Sequence, residues 1–301
     1  MTQFDPSFER SQRTMKALLM ELADGEGLHP TLLDAVQLAR AEHDFPRTPV
    51  MYEPSIYIIA SGRKTGYIGD RVIVYDENNY LVLSVPLPFE CEGQATDGEP
   101  LLGVSVRMDI GLISELAITM DAGRKQEAVN SDGCIRATPL DSRMKGAIVR
   151  LLECLRSPVD ARVLGQGIIR EIAYHALCGP QGGALLAMLN RSGPMGQIHA
   201  VLNRIHTRYT EPLNISRMAE EAGMSVSAFH HSFKAVTANS PLQYLKSVRL
   251  HKARMLILHE GLGAALAADK VGYESASQFS REFKRFFGNR PMEESRRAQN
   301  T

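Results

Sequence analysis

No two cysteines of this 301-residue chain stand close together: Cys91, Cys134, Cys154 and Cys178 are dispersed, with no CxxC pair. That spacing excludes a structural zinc site and a disulfide framework. Histidine is missing over a longer stretch. All nine histidines lie at 29, 43, 175, 199, 206, 230, 231, 251 and 259, and none falls between Asp44 and Tyr174. Metal-dependent barrel chemistry needs clustered His and Glu ligands on strands, so the expectation is no metal and no cofactor. A GxSxG, GxGxxG or Walker loop is also lacking, and no catalytic residue is assigned: the chain reads as a non-enzyme. No apolar run is long enough to span a bilayer. The stretch Met1 to Arg13 is polar and lacks a signal-peptide core, so a cytoplasmic location and no membrane partner are expected. Pro, Gly and Ser do not accumulate anywhere, which argues against a long disordered segment.

What is present is uneven in charge. The 34 basic and 34 acidic residues cancel over the whole chain. Residues 197–301, however, hold 15 Lys and Arg against 9 Asp and Glu, leaving 19 against 25 for the rest. A basic last third on an acidic body points that third toward a polyanion.

Residues 8–24 predict a helix with Met15, Leu18, Leu19 and Leu22 on one face, and a second helical piece is expected over about Pro30 to Glu42. From Val50 the pattern changes to short β-branched and aromatic runs: 55–61, 64–69, 71–76, 80–85 and 101–110, with a Gly69-Asp70 hairpin turn. Such strands suggest a small antiparallel barrel or jelly roll. Tyr57, Ile59, Tyr67, Leu83 and Val104 are candidates to line its interior. Apolar stripes then predict helices over 144–156 and 163–177, the favoured dimer surface or else a cover for the barrel. Asn190 to Gly196 reads as a linker.

Beyond it the pattern is helical, with one twofold echo. A helix-turn-helix needs a small residue where the helices touch, a turn that accepts positive φ, and an amphipathic second helix. In the first unit, about 215–236, Asn214 and Ser225 are the caps, Ala219 the packing residue and Gly223 the turn. Ile215, Met218, Ala219 and Ala222 form the inner face of its first helix. Val226, Phe229 and Phe233 face the core from the second, leaving Ser227, His230, His231 and Lys234 outward. The second unit, about 264–287, repeats this with Gly272 in the turn, Ser275 as cap and Leu266, Ala267 and Val271 inside. Its buried face is Phe279, Phe283 and Phe286, and Glu274, Ser277, Gln278, Arg281 and Lys284 face outward. The capping serines lie 50 residues apart, joined by an uninterrupted helix over 241–261. About 20 residues at a rise of about 1.5 Å span roughly 30 Å, close to the roughly 34 Å of one DNA turn.

The candidate DNA-binding residues are therefore Ser227, His230, His231, Lys234, Ser277, Gln278, Arg281 and Lys284. Arg281 suits a bidentate guanine contact or a phosphate. Gln278 also fits a capping box, Ser275-x-x-Gln278. Adjacent histidines on a helix point about 100° apart, so His230 and His231 suit base or phosphate contact better than one metal ion. Candidate effector-binding residues are Tyr57, Arg63, Lys64 and Cys91. Cys91 is an electrophile sensor only if exposed beside a positive charge, and otherwise a plain barrel residue.

Residues 197–298 resemble the DNA-binding domain of the AraC/XylS family, through SPLQYLKSVRLHKARMLI (240–257) and VGYESASQFSREFKRFFGNRP (271–291). Two departures stand out. Ala238 takes the place of the family's usual glycine, so Asn239 is expected in the left-handed turn. The second unit opens on Gly263-Ala264-Ala265, without a Ser or Thr cap. The segments 52–70, 78–88 and 167–182 resemble the AraC-type regulator N-terminal domain, which implies a cupin-like barrel with helices. The expected fold is α+β: a sensor and dimerisation domain over 1–189, a linker over 190–196, and a DNA-binding domain over 197–301. The resemblance implies an effector-sensing transcription regulator, an activator in family terms. Promoter or operator DNA, RNA polymerase, a small-molecule effector and a second copy of the chain are the partners. Two alternatives stand beside it: a constitutive DNA binder whose barrel only dimerises, and a cupin-like enzyme fused to DNA-binding helices.

Overall fold

The computed structural model describes residues 6–96, 98–120, 135–187, 189 and 193–299. Two compact units result. The first comprises Met1–Arg47, Tyr52–Val85 and Cys91–Asn190, and the second Thr48–Met51, Pro86–Glu90 and Arg191–Thr301. Among the described residues no helix is long and apolar enough to cross a membrane.

Helix α1 (Pro6–Leu22) precedes nine strands: β1 (Gly27–Pro30), β2 (Val36–Ala41), β3 (Phe45–Tyr52), β4 (Ser55–Ser61), β5 (Arg63–Ile68), β6 (Arg71–Asp76), β7 (Asn79–Leu83), β8 (Leu87–Gln94) and β9 (Leu101–Arg107). Then come α2 (Ile110–Thr119), β10 (Ile135–Pro139), α3 (Ser142–Cys154), α4 (Pro158–Cys178) and α5 (Gly182–Ala187). The strands form a six-stranded sheet in the order β1-β2-β9-β4-β7-β10 and a four-stranded sheet in the order β3-β8-β5-β6. The expected barrel is thus built of two sheets.

The helical expectation over Pro30 to Glu42 is overturned. β1 ends at Pro30, and β2 pairs antiparallel with β9, Val36 opposite Val106 and Leu38 opposite Val104. The Thr31 hydroxyl bonds the Leu33 and Val36 carbonyls and accepts the Leu33 amide, turning the chain before β2. Sheet pairing of an alternating stretch outweighs its weaker helical periodicity. The run 101–110 is also cut short: Asp109 caps α2 through the Leu112 amide, so Ile110 starts a helix.

Side chains alternate along a strand, and β4 uses both faces. Ile56, Ile58 and Ala60 join Met15, Leu19, Ile148, Leu151, Leu152 and Ile172 in one buried cluster, where α1, α3 and α4 cover the six-stranded sheet. Tyr57 faces the other way, stacked on Tyr52 of β3 with ring centroids 4.2 Å apart. A strand buried on both sides reads as a near-continuous apolar run, which is how SIYIIAS appears. α4 leaves Val159 and Val163 exposed, both on one helical face.

The second unit contains α6 (Pro194–Thr207), α7 (Ile215–Glu221), α8 (Val226–Thr237), α9 (Pro241–His259), α10 (Ala264–Lys270), α11 (Ala276–Phe287) and α12 (Pro291–Gln299). Of the expected linker, positions 190–192 lie outside the described residues, and 194–196 already belong to α6, which Gly193 precedes as N-cap. α9 has 19 residues, about 28 Å at a rise of about 1.5 Å each.

Candidate functional site

Each helix-turn-helix is built by local chemistry. Asn214 caps α7 through the Arg217 amide, Ser225 caps α8 through the Ala228 amide and Ser275 caps α11 through the Gln278 amide. Gly223 and Gly272 carry φ of 63° and 82° in the two turns. Only glycine reaches this region freely, and at Gly272 a Cβ would also lie 2.5 Å from the Thr210 carbonyl oxygen.

The cores hold aromatic ladders. Phe229 and Phe233 are fully buried, and Phe233 meets Tyr244 of α9 edge-on at 5.5 Å. In the second unit Phe279, Phe283 and Phe287 stack in sequence at 5.5 and 4.7 Å. Three expected core positions differ. Val226, the first residue of α8, is 45% exposed, and Leu266, in the first turn of α10, is 49% exposed. Phe287 takes the fully packed place expected of Phe286, which is only half-buried.

Ser227, His230, His231 and Lys234 are all exposed on α8, and Ser277, Gln278, Arg281 and Lys284 are all exposed on α11. Each set shares one helix and faces away from its aromatic ladder. The Gln278 side chain is used elsewhere than in a capping box. Its side-chain amide donates to Glu282 Oε1 at 3.2 Å instead of returning to Ser275. Glu282 also accepts from Lys246 Nζ at 3.1 Å and from the Tyr273 hydroxyl at 2.9 Å. Burial alone raises the Glu282 pKa, but these donors hold it below the usual carboxylate value. This knot ties α11 to α9 and the turn. Sequence reading missed Glu282, whose only signal was a charge on the half-buried flank of the helix. Arg285 is a further exposed cation in the last turn of α11.

The left-handed position after α8 is Ala238 itself, at φ 58°, and not Asn239. The Thr237 hydroxyl donates to the Phe233 carbonyl and accepts the Asn239 amide, while Asn239 Nδ2 donates to the Thr237 carbonyl. These bonds fix the chain on either side and force the alanine into the glycine conformation. α10 has Gly263 as its N-cap and no side-chain cap bond.

The effector candidates separate into two groups. Lys64 pairs in register with Tyr75, and Arg63 with Asp76, so the neighbouring cations point to opposite faces. Arg63 is exposed, 3.9 Å from the Asp76 carboxylate. Tyr67 shares that outer face: Arg47 sits 4.0 Å over its ring, and its hydroxyl donates to Glu92. Neither Arg63 nor Tyr67 joins an interior site. Lys64, Tyr57 and Cys91 do come together, with Tyr52 and Tyr75. Lys64 Nζ donates to the Tyr52 hydroxyl at 3.3 Å, which lies 3.3 Å from the Tyr75 hydroxyl, itself 3.6 Å from Cys91 Sγ. Burial lowers the Lys64 pKa and raises those of Tyr52, Tyr57 and Tyr75. Cys91 is fully buried, so the exposure an electrophile sensor needs is lacking. Among the described residues no three His, Cys, Asp or Glu side chains gather as a metal cluster.

Curated relatives match about a third of the chain. The HTH-type transcriptional regulator AlkR of Acinetobacter baylyi is 34% identical over 95 residues, 32% of this chain and 31% of that protein. The HTH-type transcriptional activator RhaS of Escherichia coli O139:H28 is 26% identical over 104 residues, 35% of this chain and 37% of that protein. The match thus spans about a third of the length of these relatives. A crystal structure of ToxT from Vibrio cholerae, bound to an unsaturated fatty acid, has the same fold. Its TM-score is 0.60 at 11% identity, covering 86% of this chain and 93% of that one. Residues 218–297 match a helix-turn-helix domain family. Residues 32–184, about half of the chain, match the family described as AraC-type transcriptional regulator N-terminus, and the chain belongs to the AraC-type transcriptional regulators.

Proposed function

We propose that this chain is a sequence-specific DNA-binding transcription regulator of the cytoplasm, without catalytic activity, whose first unit senses a small-molecule effector. The observation that carries the DNA reading is the pair of capped, glycine-turned helix pairs. Each presents an exposed polar face on its second helix, and one continuous helix joins them. Ser227, His230, His231 and Lys234 form the first contact row, and Ser277, Gln278, Arg281 and Lys284 the second. Arg281 reads a base edge and Lys284 holds a phosphate. Residues 1–189 and 197–301 act as sensor and DNA-binding domains. Promoter or operator DNA, RNA polymerase and a second copy of the chain are the macromolecular partners. The effector reading draws support from membership of a regulator family and from the ligand carried by ToxT, a protein of like fold.

The test is selection of duplexes from a random library by the full chain, followed by anisotropy titration of the winning sequence at several salt concentrations. Enrichment of a defined sequence, with affinity falling steeply as salt rises, is expected. A folded chain that enriches nothing and binds no duplex at low salt overturns the reading.

A further inference from the structure

Lys64 is the anomaly of the first unit. Its ammonium lies within the β-region, 5.6 Å from the centre of the Phe45 ring and 5.9 Å from that of Tyr52. No carboxylate among the described residues pairs with it, and its one hydrogen bond goes to the Tyr52 phenol. A lysine with only a structural part lays its stem on apolar surface and returns its charge to water. Here the charge stays in an aromatic environment, where an apolar residue of similar size would ordinarily be more stable. Ring faces recover part of the cost through cation–π attraction, but they do not neutralise the charge.

The surroundings define what would. Phe45, Tyr52, Tyr57 and Lys64 are all partly exposed, whereas Tyr75 and Cys91 are buried. The cluster is therefore reached from the side of the stacked Tyr52–Tyr57 pair and closed by Tyr75 and Cys91. One ammonium balances one negative charge. A phosphate dianion would leave excess charge among the rings, and a sugar would leave the ammonium uncompensated. Flat ring faces favour a planar or apolar body. A carboxylate accepts a charge-assisted bond from Lys64 Nζ and a second from the Tyr52 hydroxyl.

We propose that Lys64, Tyr52, Tyr57 and Tyr75 form a binding site for a monocarboxylate with a planar or apolar body, with Lys64 as its counter-charge. The proposal rests on the reading of this unit as an effector sensor and supplies the chemical class of the effector.

Calorimetric titration of the full chain with benzoate and with octanoate tests it, with benzamide and octanamide as neutral counterparts. At least one carboxylate binds saturably, one per chain, at least about tenfold tighter than its amide. Lys64→Met loses at least about tenfold in that affinity, while Lys64→Arg keeps most of it. Without ligand, Lys64→Met melts higher than the parent chain, because an ammonium held against ring faces without a counter-charge is gone. Should Lys64→Met fail to fold, Lys64→Gln replaces it, and the carboxylate-to-amide ratio of the parent chain stands by itself. Carboxylates that bind no better than amides, or a Lys64→Met chain that binds them equally well, overturn the site. DNA affinity measured with saturating carboxylate separates the two readings. Lys64-dependent binding that leaves DNA affinity and reporter output unchanged upholds the site and sinks the effector reading. A DNA response to a neutral ligand that ignores Lys64→Met does the reverse.

Discussion

The two helix-turn-helix units have the same plan and opposite weaknesses. The first starts well and ends badly: Asn214 caps α7, but α8 closes on an alanine at φ 58°. The second starts badly and ends well: α10 has no side-chain cap, but α11 closes on Gly288 at φ 82°. Their outward faces differ too. α8 offers Ser227, two histidines and Lys234, whereas α11 offers Arg281, Lys284 and Arg285 beside Gln278. A fold plan thus tolerates a missing local signal where the rest of the unit over-determines the conformation, and it leaves the outer face free to diverge. The second unit is therefore expected to be the stronger reader of DNA and the first the weaker.

The largest effect that would break this comparison lies in DNA binding. Arg281→Ala is expected to lose about 1–3 kcal/mol on the selected site and to relax specificity at one base pair. His230→Ala or His231→Ala should lose only about 0.5–1 kcal/mol, the scale of a single hydrogen bond. Lys284→Ala should weaken all sequences about equally. Competition titrations against single-base variants of the site decide it, and an equal loss for the arginine and the histidines removes the asymmetry.

Acid probes the two cores. His206 meets Tyr244 edge-on in the first, and His251 lies between Phe286 and Phe287 in the second. Burial, aided by Lys252, pushes the His206 pKa down to about 4; burial, aided by Arg254, pushes that of His251 down to about 3. Both groups are neutral in the fold and bind protons more readily once unfolded. Their stability is therefore complete above the unfolded value of about 6.5. It falls as pH drops from there toward about 4 for His206 and about 3 for His251. Denaturant titrations between pH 7 and pH 4 should show a loss on the order of 3 kcal/mol for each histidine. His251→Leu should flatten that slope more than His206→Leu, since the folded pKa of His251 lies lower and its buried Nε2 has no hydrogen-bond partner among the described residues.

The helix ends offer a mirrored pair. Ala238→Gly should stabilise the chain by roughly 1 kcal/mol, because the strained conformation becomes free. Gly288→Ala should destabilise it by about as much, with open space around the added methyl leaving only the backbone strain. Melting temperatures of the two variants moving in the same direction would show that the ends are not equivalent. The smallest effect belongs to the missing cap. Gly263→Ser has room for its side chain and a suitable φ of −66°. It should add a few tenths of a kcal/mol, seen as slower amide exchange in α10.

Much of the second unit was legible because its signals are short-range. A serine three residues before the amide it caps, a glycine in a turn and phenylalanines four apart act within one or two helical turns, so the helix-turn-helix pairs and all eight outward residues could be placed by counting. The first unit resisted at the points where partners lie far along the chain. β3 carries two prolines and was not anticipated. It forms because it is the edge strand of the four-stranded sheet, where proline's missing donor costs least. α2 and β10 were likewise not anticipated.

The sequence by itself determined the caps, turns and amphipathic faces of the helices, the basic bias of the last third and the absence of histidine between Asp44 and Tyr174, since each is a property of neighbours along the chain or of composition. Only the tertiary structure decided that 36–41 is a strand, that Ala238 takes a glycine's conformation, that Glu282 ties α11 to α9, and that Lys64 turns inward while Arg63 turns out. Strand pairing and burial set those outcomes. A one-residue difference in register moves a side chain from solvent to the interior, and no local pattern carries that information.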